Sequence, residues 1–212
     1  MIEDENIQYN PKGNKTLLVS FGGLQQKMGM SMFEFNSSVK NLKVDSLFVK
    51  DPKRIWYQNG ISQKHNSVES TVELIKSYSS KYQTTICIGN SAGAFAAILF
   101  GTLLNVNQVV AFSPQTLLSK DLKDFPWMKE LDNLYKNDMY CVDLKYHLSN
   151  INYSTKIDVC VPVLNSFDSN QFDHIKDMPN VKMLPFNTAD HNMGGYIKHI
   201  MGLDKFLNSY IS

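Results

Sequence analysis

Several features are missing or sparse in this 212-residue chain, and each closes off a class of function. No run approaches the ~20 apolar residues of a membrane-spanning helix, so membrane insertion is not expected. Neither sign of charge dominates: 21 Lys and Arg against 20 Asp and Glu leave a formal net charge of +1. The basic residues are scattered and form no stripe, which argues against a nucleic-acid or anionic-membrane partner. Cysteine is rare, and Cys87, Cys141 and Cys160 are odd in number and lack metal-ligand spacing. Cys87 and Cys160 fall in apolar strand-like runs, where buried free thiols are expected, and a reducing cytoplasmic location is the matching expectation. The opening Met1-Ile2-Glu3-Asp4-Glu5-Asn6 is acidic and polar, opposite in character to a secretory leader. Internal repeats, low-complexity tracts and composition breaks are lacking too, so 1–212 reads as a single domain.

What is present is organised around the stretch from Ile86 to Leu99, Ile-Cys-Ile-Gly-Asn-Ser-Ala-Gly-Ala-Phe-Ala-Ala-Ile-Leu. An apolar β-type run enters a Gly-x-Ser-x-Gly turn and an Ala-rich helical run leaves it, the setting in which that pattern denotes a nucleophile elbow. Gly89 and Gly93 supply the small residues needed where strand and helix pass close together. The amide of Ala92, at the positive end of the helix dipole, is the first candidate oxyanion donor. Such five-residue patterns arise easily by chance, and a helix start with no chemistry is the bland alternative. Its weight comes from the strand before, the helix after, and an acid and a histidine further on.

Taken in order, Thr16–Phe21, Val44–Val49, Thr84–Ile88, Gln108–Phe112, Ile157–Leu164 and Val181–Phe186 read as strands. Helical spacing over Ser67–Tyr78, from the elbow to about Leu104, and from Gly195 to Asn208 separates them. Strands alternating with helices indicate an α/β fold with a doubly wound, mostly parallel sheet of about six strands. Pro185 in the last strand favours a sheet edge. Residues 115–154 form a short insertion after the fourth strand, with a helical piece over Met128–Tyr135 and the place for a lid over a pocket.

Ligands of such sheets bind outside the carboxyl ends of the strands. Gly22-Gly23 leaves the first strand there, which makes the amides of Gly23 or Leu24 the second oxyanion donor. Arg54, Trp56 and Tyr57 follow the second strand and are candidates for holding an anionic group and walling a substrate pocket, against the plainer and, residue by residue, favoured reading that the aromatics only pack their loop onto the body; Gln115, after the fourth, is a further substrate-binding candidate. If Ser91 is the nucleophile, Asp168 follows the fifth strand on the loop 165–170 and His191 follows the sixth. The order Ser, Asp, His is the one this fold uses. Asp173, already in the next helix, and Asp190, which must bend back, are the competing acids. His65, His147 and His174 have no strand-end position, His199 falls inside the last helix, and all four read as surface histidines.

The elbow Gly89-Asn90-Ser91-Ala92-Gly93, the Asp168 loop and His191 together resemble the α/β-hydrolase superfamily over nearly the whole chain. The stretches Phe33-Glu34-Phe35, Asp51-Pro52 with Trp56-Tyr57, and Ala-Phe-Ser-Pro-Gln-Thr at 111–116 further resemble bacterial α/β-hydrolase-like proteins associated with glycan or capsule biosynthesis. That resemblance implies esterase, thioesterase, peptidase or acyltransferase chemistry. The chain lacks the His-Gly-Gly-Gly motif of lipase-type members and shows no antiparallel strand ahead of the first parallel one.

The leading expectation is a serine hydrolase of esterase or thioesterase type, acting through an acyl-serine on a small acyl ester such as an acylated glycan. An O-acyltransferase on the same triad, moving an acetyl-like group to a sugar hydroxyl, is the alternative. A binding domain that kept the fold without turnover is a third. No metal or resident cofactor is called for; acetyl-CoA is the donor if transfer is the reaction.

Overall fold

A computed structural model of the chain describes residues 5–24, 33–118 and 142–211. Its strands are β1 (Ile7–Asn10), β2 (Thr16–Phe21), β3 (Asp45–Val49), β4 (Thr84–Asn90), β5 (Gln108–Phe112), β6 (Lys156–Pro162) and β7 (Val181–Phe186). They form one sheet in the order β1-β3-β2-β4-β5-β6-β7. All neighbours are parallel except β1, which pairs antiparallel with β3. The helices are α1 (Asn36–Val39), α2 (Val68–Ser79), α3 (Ala92–Leu103), α4 (Leu144–Ser149), α5 (Ser166–Ile175), α6 (Met193–Ile200) and α7 (Leu203–Asn208).

The two-residue period of the strands divides the core. Leu17, Val19, Cys87, Val109 and Val159 face one layer, with Phe95 and Leu99 of α3, Val68 and Ile75 of α2, and Phe172 of α5. Leu18, Phe48, Ile86, Ile88, Val110 and Cys160 face the other, with Val39, Met193, Ile197 and Leu207 of α1, α6 and α7. With helices on both faces, the central strands are buried twice over and carry the unbroken apolar runs seen in sequence. The expected doubly wound α/β class is therefore observed. Free Cys87 and Cys160 are buried, and burial pushes both thiols well above their usual range. Cys141 lies outside the described residues.

Three expectations need correction. An antiparallel strand does precede the first parallel one, making seven strands among the described residues. Residues 7–10 alternate apolar and polar, with Ile7 and Tyr9 on the core, but the run is only four residues long and is held by pairing with the edge of β3. The C-terminal helix is broken in two at Met201–Gly202, where Gly202 adopts φ +84°. The fifth parallel strand ends at Pro162, two residues short of the sequence reading. Pro185 does lie on the edge strand β7.

The ends of the insertion after β5 are tied together, with Leu117 bridged to Asp143 and the Leu118 amide donating to Val142 O at 2.9 Å. The expected helix at 128–135 and the lid lie outside the described residues. No helix among the described residues is long and apolar enough to cross a membrane.

Strand order reverses between β2 and β4: the chain runs from β2 outward to β3, then returns to the other side of β2. A crevice opens at such a switch point, flanked by the two strand ends. Here those ends carry Gly22-Gly23-Leu24 and Ser91.

Candidate active site

Ser91 follows the last residue of β4 and is the N-cap position of α3, in a backbone conformation of φ 56°, ψ −117°. A non-glycine residue pays of order 1–3 kcal/mol for such a state unless its surroundings fix it. One hydrogen bond and two close backbone approaches do so. The Ser91 amide donates to Phe112 O on β5 at 2.9 Å. A Cβ on Gly89 would lie 2.1 Å from Gly93 O, and one on Gly93 would lie 2.3 Å from Phe21 O. The two glycines thus let α3 press onto β4 and β2, and the serine hydroxyl is lifted at the rim.

His191 lies between β7 and α6. The loop is held by Asp190, whose Oδ1 accepts the Asn192 amide at 2.9 Å, and by Asn192, whose side chain caps α6 on Gly195 N at 3.1 Å. Asn90, next to the serine, accepts the Gly194 amide at 3.3 Å and links the loop to the elbow. Asp168 is in the first turn of α5 and not on a loop as the sequence suggested. Asn165 caps that helix by accepting the amides of Phe167 and Asp168, so the helix starts before the acid.

The three side chains converge. Ser91 Oγ is 3.0 Å from His191 Nε2, and His191 Nδ1 is 2.8 and 3.0 Å from the two oxygens of Asp168. Asp168 accepts only, so Nδ1 carries the proton and Nε2 is left to accept from the serine hydroxyl. The Asp168 side chain is 1% exposed and that of His191 39%: the acid is sequestered while the base meets the cavity. This is the geometry of a Ser-His-Asp catalytic triad, and it supports serine-dependent acyl transfer or hydrolysis. The competing acids are engaged elsewhere: Asp173 pairs with Lys176 at 3.2 Å and Asp190 holds its own loop.

The other histidines are not uniformly superficial. His147 is buried at 1% exposure with Nε2 2.8 Å from Thr102 Oγ1, and burial lowers its pKa to about 4. His174 is 2.8 Å from Asp143, the N-cap of α4, and His65 Nδ1 is 3.2 Å from Ser70 O. His199 is exposed on α6.

A cavity of about 600 Å³ opens beside the triad, walled by Gly23, Leu24, Glu34, Gln115, Lys198 and the elbow. Gln115 lines it as expected, but Trp56 and Tyr57 do not. Both rings are fully buried behind the wall. Trp56 Nε1 donates to Gln115 Oε1 at 2.6 Å, and the Tyr57 hydroxyl shares its contacts between Gly22 O at 2.9 Å and Val49 O at 3.0 Å. Their loop folds around the Asp51 carboxylate, which accepts the amides of Lys53, Arg54, Ile55 and Tyr57. Burial raises the Asp51 pKa against the pull of these amides. Arg54, Trp56 and Tyr57 all take positive φ in this wrap. The aromatics turn inward as a result, and Arg54 is exposed away from the cavity wall.

Of the oxyanion candidates, Ala92 opens α3 and Leu24 lines the cavity, and neither amide has a hydrogen-bond partner among the described residues. Gly23 differs, because its N–H donates to Glu34 Oε2 at 2.6 Å. Glu34 is the residue sequence reasoning missed. Burial raises its pKa to about 7 against the lowering effect of the Gly23 amide. A lone acid between Phe33 and Phe35 was the only local signal, and the partner it reaches is eleven residues away.

No protein-family model matches the chain, and no curated protein sequence is significantly similar to it. Solved structures share its fold. A capsule O-acetyltransferase of Neisseria meningitidis serogroup A, in a mutant form bound to CoA, superposes with a TM-score of 0.70 at 17% identity, covering 97% of this chain and 91% of that one. A Pyrococcus furiosus esterase gives 0.61 at 14% identity over 97% and 85%. A butyrate-bound esterase of the Planctomycetes species Thermogutta terrifontis gives 0.59 at 14% over 97% and 88%. At such identities the likeness is one of fold: the chain has an α/β-hydrolase-like architecture.

Proposed function

We propose that the protein is a serine O-acyltransferase that carries an acetyl-like group from an acyl-CoA thioester to a hydroxyl of a glycan through acyl-Ser91. The observation that carries the acyl-serine chemistry is the unbroken relay from Ser91 through His191 to Asp168 at the edge of an open cavity. The choice of transfer over hydrolysis is supported by likeness in fold to a capsule O-acetyltransferase that has been captured with CoA. Lys198 on the cavity wall supplies positive charge suited to a phosphate of the donor.

The chemistry runs in two halves. His191 Nε2 takes the Ser91 proton as Oγ attacks the thioester carbonyl, and the Asp168 carboxylate steadies the imidazolium. Amides at the Ala92 and Leu24 positions receive the charge that develops on the carbonyl oxygen. The C–S bond breaks and His191 returns the proton to the departing thiolate. An acceptor hydroxyl then attacks the acyl carbon, giving its proton to His191. As the Oγ–C bond breaks, that proton goes back to Ser91.

Hydrolysis of a small acyl ester is the second reading, favoured by the likeness to two esterases and by the partial exposure of His191, which water can reach. Incubation with acetyl-CoA, with and without an oligosaccharide acceptor, separates them. Transfer predicts an acetylated Ser91 peptide by mass spectrometry and acetylated oligosaccharide formed faster than free acetate. Acetate release unaffected by any acceptor points to hydrolysis, and no acetyl adduct in wild-type protein under either condition removes the proposal.

A further inference from the structure

Two acidic residues line the cavity without any part in the triad: Asp190, which holds the His191 loop, and Glu34. Its Oε2 accepts the Gly23 N–H at 2.6 Å, while its own backbone carbonyl receives the Ser20 hydroxyl of β2 at 3.2 Å. The residue is thereby fastened to the strand whose end it touches. The chain leaving β2 is a Gly-Gly step, the least constrained backbone available. An oxyanion donor works only if it is oriented before charge develops, so a soft turn in that position needs an outside restraint.

The restraints can be followed amide by amide. Gly22 N donates to Val49 O at 3.0 Å, and Gly22 O accepts the Tyr57 hydroxyl. Gly23 N donates to Glu34. Leu24 N is the first amide after β2 with no partner among the described residues, and Leu24 shares the cavity wall with Ser91. Gly23 also lies against the elbow, since a Cβ there would come 3.0 Å from Asn90 O. The turn thus packs beside Asn90, the residue before the nucleophile, so a shift in the turn is felt next to Ser91.

We propose that Glu34 is a positioning residue for acyl transfer at Ser91: by holding the Gly23 amide, it withdraws Gly23 from the oxyanion site and aims the Leu24 amide there, beside that of Ala92. The proposal rests on the acyl-serine reading above. A fixed negative charge at this place would oppose a developing oxyanion. Burial relieves the conflict by keeping a share of Glu34 protonated near neutral pH. The uncharged acid still accepts from Gly23 through its carbonyl oxygen, and an amide side chain has the same oxygen to offer.

The test is steady-state turnover of p-nitrophenyl acetate by the full chain as wild type, Ser91→Ala, Glu34→Ala and Glu34→Gln, each checked by a thermal melt. Glu34→Ala is expected to lose about 30- to 100-fold in kcat with KM changed less than about threefold, somewhat under the cost of deleting an oxyanion donor. Glu34→Gln is expected to recover most of that loss. If Glu34→Ala does not fold, Glu34→Leu fills the space without an acceptor and carries the same expectation. A Ser91-dependent kcat for Glu34→Ala within threefold of wild type overturns the proposal, as does a loss confined to KM or a Gln variant as slow as the Ala one. Wild-type turnover that survives Ser91→Ala sinks the acyl-serine reading itself, and this proposal with it.

Discussion

The indole of Trp56 backs the cavity wall through one atom: its Nε1 donates to Gln115 Oε1 at 2.6 Å, and the ring itself is sealed in the core. Gln115 lines the cavity, and Trp56 fixes which way its side-chain amide points. Trp56→Phe keeps an aromatic in the slot but deletes the donor and leaves a void. We expect a stability loss of about 1–3 kcal/mol in urea unfolding. KM should rise while kcat holds within a few-fold. A fall in kcat alone would show that Gln115 serves the reacting atoms and not the substrate.

The His191–Asp168 pair sets the tautomer that lets Nε2 accept from Ser91. Asp168→Asn preserves shape while presenting an amide that can donate to Nδ1 and reverse that preference. A drop in kcat of about 10³- to 10⁴-fold is expected, with the melting temperature little changed. Asp173→Asn, on the outer side of α5, should leave turnover at the wild-type level. A reversed ranking of the two variants would remove Asp168 from the triad.

Gly93 tolerates no side chain, because its Cβ would meet the backbone oxygen of Phe21 at 2.3 Å. Backbone cannot swing aside, so α3 would have to lift from β2. Gly93→Ala should cost at least about 2 kcal/mol of unfolding free energy, in the range of overpacked cores. It should also slow Ser91 labelling by a fluorophosphonate in the folded fraction. Normal stability and labelling would mean that the elbow has slack the geometry does not show.

His147 makes stability depend on pH. Its pKa is held near 4 in the fold by burial, against about 6.5 in an unfolded chain. Between these values the unfolded state binds more protons, so stability is full above pH 6.5 and is lost as pH falls toward 4. The difference amounts to about 2 kcal/mol between pH 7.5 and 5. Urea unfolding at the two pH values should show this loss in wild type and a smaller one in His147→Gln. Equal losses would place the acid sensitivity elsewhere.

How much of this was legible depended on how local each signal was. The central strands announced themselves because burial on both faces demands unbroken apolar runs, and the elbow because close helix–strand packing demands glycine on either side of Ser91. Strand β1 was missed since its alternation, Ile7 and Tyr9 inward, lasts only four residues and is completed by the edge of β3. The break before Leu203 was missed because the helical spacing continues across Gly202. The place of Trp56 and Tyr57 after a strand end left both a pocket wall and loop packing open; the Asp51 carboxylate, gathering four amides of the same loop, goes with the inward packing.

The sequence by itself determined the layer architecture, the serine at its turn and the chain order of serine, acid and base, because periodicity, small residues and strand ends act over a few neighbours. Only the tertiary structure decided that Asp168 and not Asp173 meets His191, that Gln115 and not the aromatic pair walls the cavity, and that Glu34 takes the Gly23 amide. Those outcomes turn on separations of a few ångströms between segments far apart in the chain, and no local pattern of residues encodes such distances.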